Sequence, residues 1–334
     1  MKGKSILVTG GDGYLGRQLV GALAARADGS KIIAADVRDA PQAQRLPGVI
    51  YLKADVRDDG LDAILREHGV ETVVHLASIV TPGKKSDRTF EYSVDVGGTG
   101  KVLEACEAAG VRHIIVSSSG AAYGYHADNP AWLNETHPIR GNDEFAYSWH
   151  KRLVEEMLAD YRRRCPQLTQ TVFRIGTILG DTVRNQITDL FEKPRLIAVR
   201  GSDSPFVFIW DRDAVGAMLL AIDNGKGGIY NLAGDGALSI HELAKRLGKP
   251  VLSLPARAIA IALRVLKSLG MTQYGPEQVN FLRYRPVLDN RKLKEEFGYT
   301  PMKTSAEVFD YWLASRRMRG EAGHAGISQA GINP

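Results

Sequence analysis

Three features of the chain predict an α/β fold, a doubly wound parallel sheet with a smaller, mainly helical C-terminal region. A glycine-rich turn, Thr9-Gly10-Gly11-Asp12-Gly13-Tyr14-Leu15-Gly16, follows directly on the apolar run Ser5-Ile6-Leu7-Val8. Short apolar runs and helical apolar patterns then alternate through the first half. The second half turns to helical patterns separated by short loops with Gly or Pro. A short apolar run reads as a strand buried on both faces, and alternation with right-handed crossovers gives a parallel sheet covered on both sides.

In chain order, strands are expected at 4–9, 31–36, 49–54, 72–76, 111–117 and 169–174. Helices are expected between them at 14–26, 58–67, 86–109 and 144–164, the first from the spacing of Leu15, Leu19, Val20 and Leu23. Later helices are expected at 211–223, 239–247, 255–269, 289–297 and 304–317. No internal repeat is visible. Residues 320–334 lack apolar periodicity and are expected to form a mobile tail.

The glycines occupy a strand-to-helix turn. Gly10 permits a tight turn, Gly13 lets backbone approach a pyrophosphate, and Gly16 allows close helix–strand packing. A diphosphate would sit on the helix N-terminus, where free N–H groups and the dipole favour an anion. The next strand, Lys31-Ile32-Ile33-Ala34-Ala35, ends in Asp36, whose carboxylate can accept both ribose hydroxyls of an adenosine half. Together these point to a Rossmann-type dinucleotide-binding domain over residues 1–178, joined by a return segment at 206–234. Residues 179–205 and 235–319 are left for substrate binding. Asp36 favours NAD over NADP, because it repels a 2′-phosphate.

Composition narrows the function classes. At 334 residues the chain can bury a full core, and 44% hydrophobic with 24% charged residues is ordinary for a soluble globular enzyme. Cys106 and Cys165 each fall in an expected helix with no His nearby in sequence, which argues against disulfides and zinc and fits a cytoplasmic protein. The chain enters a strand at once, so no signal peptide is expected. Arg162-Arg163-Arg164 and Arg316-Arg317-Met318-Arg319 lie toward helix C-termini, where cations complement the dipole, so nucleic-acid binding is not expected. The longest apolar stretch, Val251 to Leu269, is interrupted by Arg257, Arg264 and Lys267, so no membrane span is expected. Its wide apolar face reads first as docked on the core, and otherwise as a lid over an apolar substrate or a contact with a membrane surface.

Two further groups carry chemistry. Ser117-Ser118-Ser119-Gly120-Ala121-Ala122-Tyr123-Gly124 follows the strand Val111 to Val116, at the carboxyl end where such folds place their sites. Tyr147-Ser148-Trp149-His150-Lys151 opens a long helix, and its Tyr and Lys, four apart, share one face. An ammonium near a phenol favours the phenolate. Tyr147 is the candidate acid/base, Lys151 the group that tunes it and holds the nicotinamide ribose, and Ser119 the donor that positions the substrate oxygen.

In this order, Thr9-Gly10-x-x-Gly13-x-x-Gly16, Ser117-Ser118-Ser119…Tyr123-Gly124 and Tyr147-x-x-x-Lys151 resemble the extended short-chain dehydrogenase/reductase family, which includes NAD-dependent sugar epimerases, dehydratases and hydroxysteroid dehydrogenases. The resemblance covers nearly the whole chain. It extends to Asp55-Val56, similar to an adenine-contacting pair, and His75-Leu76-Ala77-Ser78, similar to a segment lining the cofactor. It includes Phe173-Arg174 to Gly180, Ile229 to Gly234, and the ending Asp289 to Pro301. It implies NAD bound by Gly10, Gly13, Tyr14, Leu15, Gly16, Asp36, Asp55, Val56, Leu76, Ala77, Ser78, Ser117, Tyr147 and Lys151, with catalysis by Ser119, Tyr147 and Lys151. It implies no metal. It also implies a homodimer through helices 86–109 and 144–164, with Val94, Val102, Leu103, Leu153, Met157 and Leu158 as the apolar residues on offer, which read equally as facing the sheet.

Departures from the family pattern narrow the chemistry. Asp95-Val96-Gly97-Gly98-Thr99 stands where the family often has Asn-Val-x-Gly-Thr, and an ionised Asp cannot donate as an amide does. Ser119, Gly120 and Ala121 replace the Thr-Asp-Glu of sugar dehydratases, so water elimination is not expected. Gly120 fills the place where reductive epimerases carry Cys, and Thr177 the place of an Asn common in sugar-nucleotide epimerases. Arg283-Tyr284-Arg285-Pro286 matches the family's diphosphate-gripping segment only loosely, so Arg283, Arg285 and Arg200 read either as phosphate ligands or as surface residues, and the unusually apolar Pro205 to Trp210 reads either as a buried strand beside the sheet or as a pocket lining. The reading is an NAD-dependent oxidoreductase interconverting a secondary alcohol and a ketone, acting on a small molecule. A nucleotide-sugar epimerase is the alternative, and a dinucleotide sensor is disfavoured by the intact Ser–Tyr–Lys set.

Overall fold

Apolar strands flanked by glycine turns assemble into a seven-stranded, all-parallel sheet in the computed structural model, which describes residues 3–80, 87–272 and 275–329. The first half supplies β1 (Ser5–Thr9), α1 (Tyr14–Ala24), β2 (Lys31–Asp36), β3 (Val49–Lys53), α2 (Leu61–Glu67), β4 (Thr72–His75), α3 (Arg88–Tyr92), α4 (Gly98–Ala109), β5 (His113–Ser119), α5 (Ala146–Arg164) and β6 (Thr169–Ile175). The second half supplies β7 (Thr177–Leu179), α6 (Gln186–Glu192), β8 (Leu196–Val199), β9 (Phe208–Trp210), α7 (Asp211–Asn224), β10 (Gly228–Leu232), α8 (Ile240–Leu247), β11 (Val251–Leu254), α9 (Ala256–Ser268), α10 (Gln278–Arg283) and α11 (Ser305–Gln329). The main sheet runs β3-β2-β1-β4-β5-β6-β10.

Strand order reverses between β1 and β4, and the carboxyl ends there open the crevice where such sheets hold ligands. Register sets what meets there. Thr9 pairs with Ala35 on one side and His75 on the other, and Ser119 pairs with Ile175. The glycine turn, Asp36, the loop after β4 and the turn after β5 therefore share one end of the sheet.

The period-two alternation of each strand divides the core. Ile6 and Val8 face α1 and α7 beside Leu19, Met218 and Ile222, whereas Leu7 faces the α2, α4 and α5 side beside Leu65, Leu103 and Leu158. Val102, Leu103 and Leu158 are fully buried against the sheet, so these three residues are unavailable to a dimer interface. A third core joins the sheet to the second half. There Phe191, Phe206, Phe208, Phe309 and Trp312 interlock, and Phe206, Phe208 and Trp210 of the apolar run are spent on this packing.

Several boundaries differ from expectation. The expected helix 86–109 starts at Arg88 within the described residues and passes through a π-helical turn at Ser93–Gly97. The expected helix 58–67 begins only at Leu61, because Gly60 at φ 98° breaks the turn before it. The expected helix 289–297 contracts to a short segment ending in a π-helical turn at Leu293–Phe297. The pairs β8–β11 and β7–β9 were not foreseen, since strands of three or four residues carry too little periodicity to read. The last helix continues through Gln329, so residues 320–329 of the expected tail are helical, and 330–334 lie outside the described residues. Among the described residues no helix is long and apolar enough to cross a membrane.

One buried ion pair locks α5 to the sheet. Arg174 of β6 donates from Nη2 to Glu155 Oε2 of α5 at 2.6 Å, with both side chains almost wholly buried. Ser118 of β5 donates to the same carboxylate at 2.5 Å, and Arg174 donates to the Tyr123 hydroxyl at 2.8 Å. Arg174→Met strands a buried carboxylate. It is expected to cost about 3–5 kcal/mol, read as a lower denaturation midpoint at unchanged slope. The double variant Arg174→Met/Glu155→Leu should recover a large part of that loss; recovery of none would contradict this account.

Candidate active site

The glycine turn is close-packed because it lacks side chains. Gly10 sits at φ 67°, a left-handed conformation, and a Cβ there would lie 2.8 Å from the Ala77 nitrogen after β4. A Cβ on Gly16 would lie 2.1 Å from the Gly10 oxygen. Gly13 caps α1 in extended conformation with no side-chain hydrogen bond, which leaves the first-turn N–H groups of Tyr14 and Leu15 open to an anion. The Tyr14 side chain is committed elsewhere. Its hydroxyl donates to Asp211 of α7 at 2.6 Å, and burial followed by that carboxylate pushes the phenol well above its ordinary range. Leu15 packs against the core.

At the end of β2, Asp36 Oδ2 accepts the Asp12 N–H at 3.0 Å and Oδ1 accepts the Arg38 N–H at 3.1 Å. Oδ2 keeps a lone pair for a ribose hydroxyl. The exposed Arg38 guanidinium is drawn to Asp36 at 3.4 Å and to Asp12 at 3.6 Å. Asp55 is held by Arg57, whose Nε donates to both its oxygens at 3.0 Å and which keeps the carboxyl below its usual range. Val56 is buried and fits against Gly98, where a Cβ would meet its Cγ2 at 2.6 Å.

Asp95, the departure from the family pattern, occupies the centre of the site. It is buried in the π-helical turn. Its Oδ1 accepts from the Ser78 hydroxyl at 2.9 Å and the Ile79 N–H at 2.9 Å, and its Oδ2 lies 2.9 Å from His150 Nδ1. Burial alone would push this carboxyl up, but His150, Lys151, Ile79 and Ser78 together hold it below the ordinary value. An acceptor thus replaces an amide because three donors surround it. Beneath it, His75 Nδ1 contacts the Thr9 hydroxyl at 2.7 Å and Nε2 the Thr99 hydroxyl at 3.0 Å. Burial, and then the Lys151 charge, push His75 down to about 4.

β5 and α5 bring the expected Ser, Tyr and Lys to one end of the sheet. Ser119 ends β5 and accepts the Ala121 N–H at 3.1 Å, capping the short 3₁₀ turn Gly120–Tyr123. Ser148, in the first turn of α5, donates to the Ala121 carbonyl at 2.7 Å and clamps that helix to the turn. Lys151 is buried, donates to the Ser117 carbonyl at 2.9 Å, and lies 5.5 Å from the Tyr147 ring centroid. Beside Tyr147, the rings of Tyr125, Phe145 and Phe281 meet edge to face, with Tyr125 5.2 Å from each of the others.

Arg285, from the segment that loosely resembles a diphosphate-gripping one, is inserted between rings. Its guanidinium lies 3.8 Å from the Phe206 centroid and 4.9 Å from that of Phe281. Burial lowers it to about 9 against the opposing influence of Tyr125, and it meets no carboxylate among the described residues. The pairing of His150 with Asp95, the Ser148 clamp and the contact of Tyr125 with Phe281 had no sequence signal, because each depends on packing between distant segments.

These residues fit a dinucleotide. The turn forms a cradle that a Cβ would fill, α1 offers open N–H groups, and β2 ends in a carboxylate with a spare acceptor. Comparison with known proteins agrees. The family model described as "NAD dependent epimerase/dehydratase family" matches residues 6–233. An uncharacterized protein of Mycobacterium tuberculosis is 25% identical over 316 residues, 94% of this chain and 84% of that protein. A UDP-glucose 4-epimerase of Erwinia amylovora is 33% identical over 184 residues, 53% of this chain and 54% of that protein. The structure of a Thermus thermophilus UDP-glucose 4-epimerase in complex with NAD superimposes with a TM-score of 0.71 at 23% identity, covering 94% of this chain and 99% of that one.

The buried histidine has a consequence for stability. His75 stays neutral in the folded protein down to about pH 4, whereas an unfolded histidine protonates near ~6.5. Between those values the unfolded chain binds more protons, so stability falls as pH falls through that window. The loss should reach on the order of 3 kcal/mol by the lower end. His113, pushed down to about 4 by burial and then by Lys4, acts in the same direction. Asp95, held low, contributes only at more acid pH. Denaturant titrations across this window should show the decline, and His75→Gln should flatten it; an unchanged profile in that variant would contradict the assignment.

Proposed function

This chain belongs to the NAD dependent epimerase/dehydratase family and uses NAD, and from that premise we propose that it interconverts a secondary alcohol and its ketone. The observation that carries the reading is the buried Lys151 ammonium, tied to the Ser117 carbonyl at 2.9 Å and set over the Tyr147 ring. An ammonium beside a phenol stabilises the phenolate by Coulomb attraction. Tyr147 then takes the hydroxyl proton of an alcohol and returns it to a ketone. Ser119 accepts from Ala121, which leaves its own O–H to donate to the substrate oxygen. Backbone groups of the glycine turn and Asp36 hold the adenosine and diphosphate half of NAD, and Ala77, Ser117 and Lys151 hold the other. When bound, NAD supplies the hydride chemistry. The Tyr125, Phe145 and Phe281 rings beside Tyr147 support a weakly polar substrate.

A second reading, a nucleotide-sugar epimerase using the same three residues, is favoured by Arg285. A buried guanidinium without a carboxylate is suited to a phosphate. Calorimetry with UDP separates the two. The alcohol/ketone reading expects no micromolar binding; micromolar binding lost in Arg285→Ala would promote the epimerase.

Tyr147→Phe removes only the hydroxyl. Turnover should fall on the order of 10²-fold or more while NAD affinity, followed by fluorescence titration, stays near wild type. Lys151→Met should weaken both, since the ammonium serves both. Near-normal turnover in Tyr147→Phe would move the acid/base role elsewhere.

A further inference from the structure

The helix α9 is apolar on two opposite sides. Its inner side packs Ile259, Ala260 and Leu263 with Val279 and Leu282 of the α10 region and Val199 of β8. Its outer side carries Ile261 and Val265, and Leu269 continues their four-residue spacing just past the helix end. These three are 61%, 50% and 66% exposed, and Met271 beyond them is 71% exposed. A helix that meets only water on its outer side carries polar residues there. A run of exposed aliphatic side chains marks a surface that another body covers.

Charge identifies that body. Arg257 and Arg264, seven apart, run along the edge of the apolar stripe. Neither forms a hydrogen bond or ion pair with any described residue. Lys267 lies 3.7 Å from Glu277. No Asp or Glu occurs from Val251 to Met271, and the whole chain carries a net charge of +5. We propose that this face of α9 binds an anionic lipid surface, with Ile261, Val265, Leu269 and Met271 entering the headgroup–acyl boundary and Arg257 and Arg264 meeting lipid phosphates. A second copy of the chain fits less well, because a two-fold contact here brings the arginine edge toward its own copy. A lid over the chain's own site does not fit, because the stripe points away from the cluster that α9 covers.

The placement has a consequence that rests on the alcohol/ketone reading, whereas the docking itself does not. The helix beneath α9, α10, carries Phe281, whose ring lies against Tyr125 beside Tyr147. Lipid docking sets the aromatic end of the substrate pocket one helix from the bilayer, suited to substrates dissolved in it.

Flotation with vesicles tests the docking without any assay of activity. The full chain is mixed with vesicles of phosphatidylcholine alone, or of equal parts phosphatidylcholine and phosphatidylglycerol. Wild type should float with the anionic vesicles, less so as salt rises, and little with the neutral ones. Val265→Asp should lower the bound fraction about tenfold, and Val265→Ser should lower it less. Arg257→Gln/Arg264→Gln should remove the preference for anionic lipid. All variants should keep wild-type NAD affinity and thermal melting. The proposal is overturned if wild type stays at the bottom of the gradient, or if Val265→Asp floats as well as wild type. It is also overturned in favour of a second copy if light scattering shows a dimer that Val265→Asp dissolves while neither protein floats.

Discussion

A single buried carboxylate sets the distance between the loop after β4 and the helix α5. Asp95 grips the end of the β4 loop through Ser78 and Ile79 with one oxygen, and His150 of α5 with the other. Lys151 lies one residue beyond His150, and Tyr147 one helical turn before it. Any shift of the loop after β4 is therefore coupled to the first turns of α5 through one side chain. The carboxylate tolerates burial because donors converge on it from two segments, the loop after β4 and α5. The π-helical turn at Ser93–Gly97 places it there, and Thr99 ties that turn back to the Asp95 carbonyl and, through His75, to Thr9 of β1. Lys151 adds a positive charge to this network and draws its own restraint from the Ser117 carbonyl. A mobile ammonium would sample solvent; a buried one bonded to backbone keeps its position over Tyr147.

The parts of the fold that repeat were legible. Strands buried on both faces are continuous apolar runs, and β1, β2 and β6 lie within a residue of their expected ends. Gly10 and Gly16 could be assigned from sequence because each answers to a steric demand that no other residue meets, which the approaches to Ala77 and to the Gly10 oxygen now explain. What was not legible depended on tertiary context. Asp95 could be recognised as a departure, but its compensation by His150 joins residues 55 positions apart and leaves no local pattern. The apolar run Pro205 to Trp210 carried two readings, and only the packing of Phe206 and Phe208 against Phe191 and Phe309 decides between pocket wall and core. Val102, Leu103 and Leu158 were ambiguous between sheet and interface for the same reason, since periodicity marks an apolar face without saying what covers it.

The substrate end is governed by a different balance. Arg285 is held by rings and carbonyls in place of a counter-charge: Phe206 and Phe281 stack on it, and the carbonyls of Ser204 and Leu282 accept from its Nη1 at 3.3 and 3.5 Å. Its Nε is buried with no partner among the described residues. Cation–π contact offsets part of the cost of desolvating a guanidinium, but it leaves planar N–H donors unused. An acceptor brought to these donors pairs them, and an anion such as a phosphate pairs them more strongly than a neutral carbonyl oxygen does. Burial brings the guanidinium down to about 9, which still leaves it charged at neutral pH and in need of a counter-charge. The edge-to-face cluster of Tyr125, Phe145 and Phe281 adds apolar surface on the same side, which a diphosphate would have to lie against at a desolvation cost. This part of the fold therefore sets one charged, directional donor among aromatic rings.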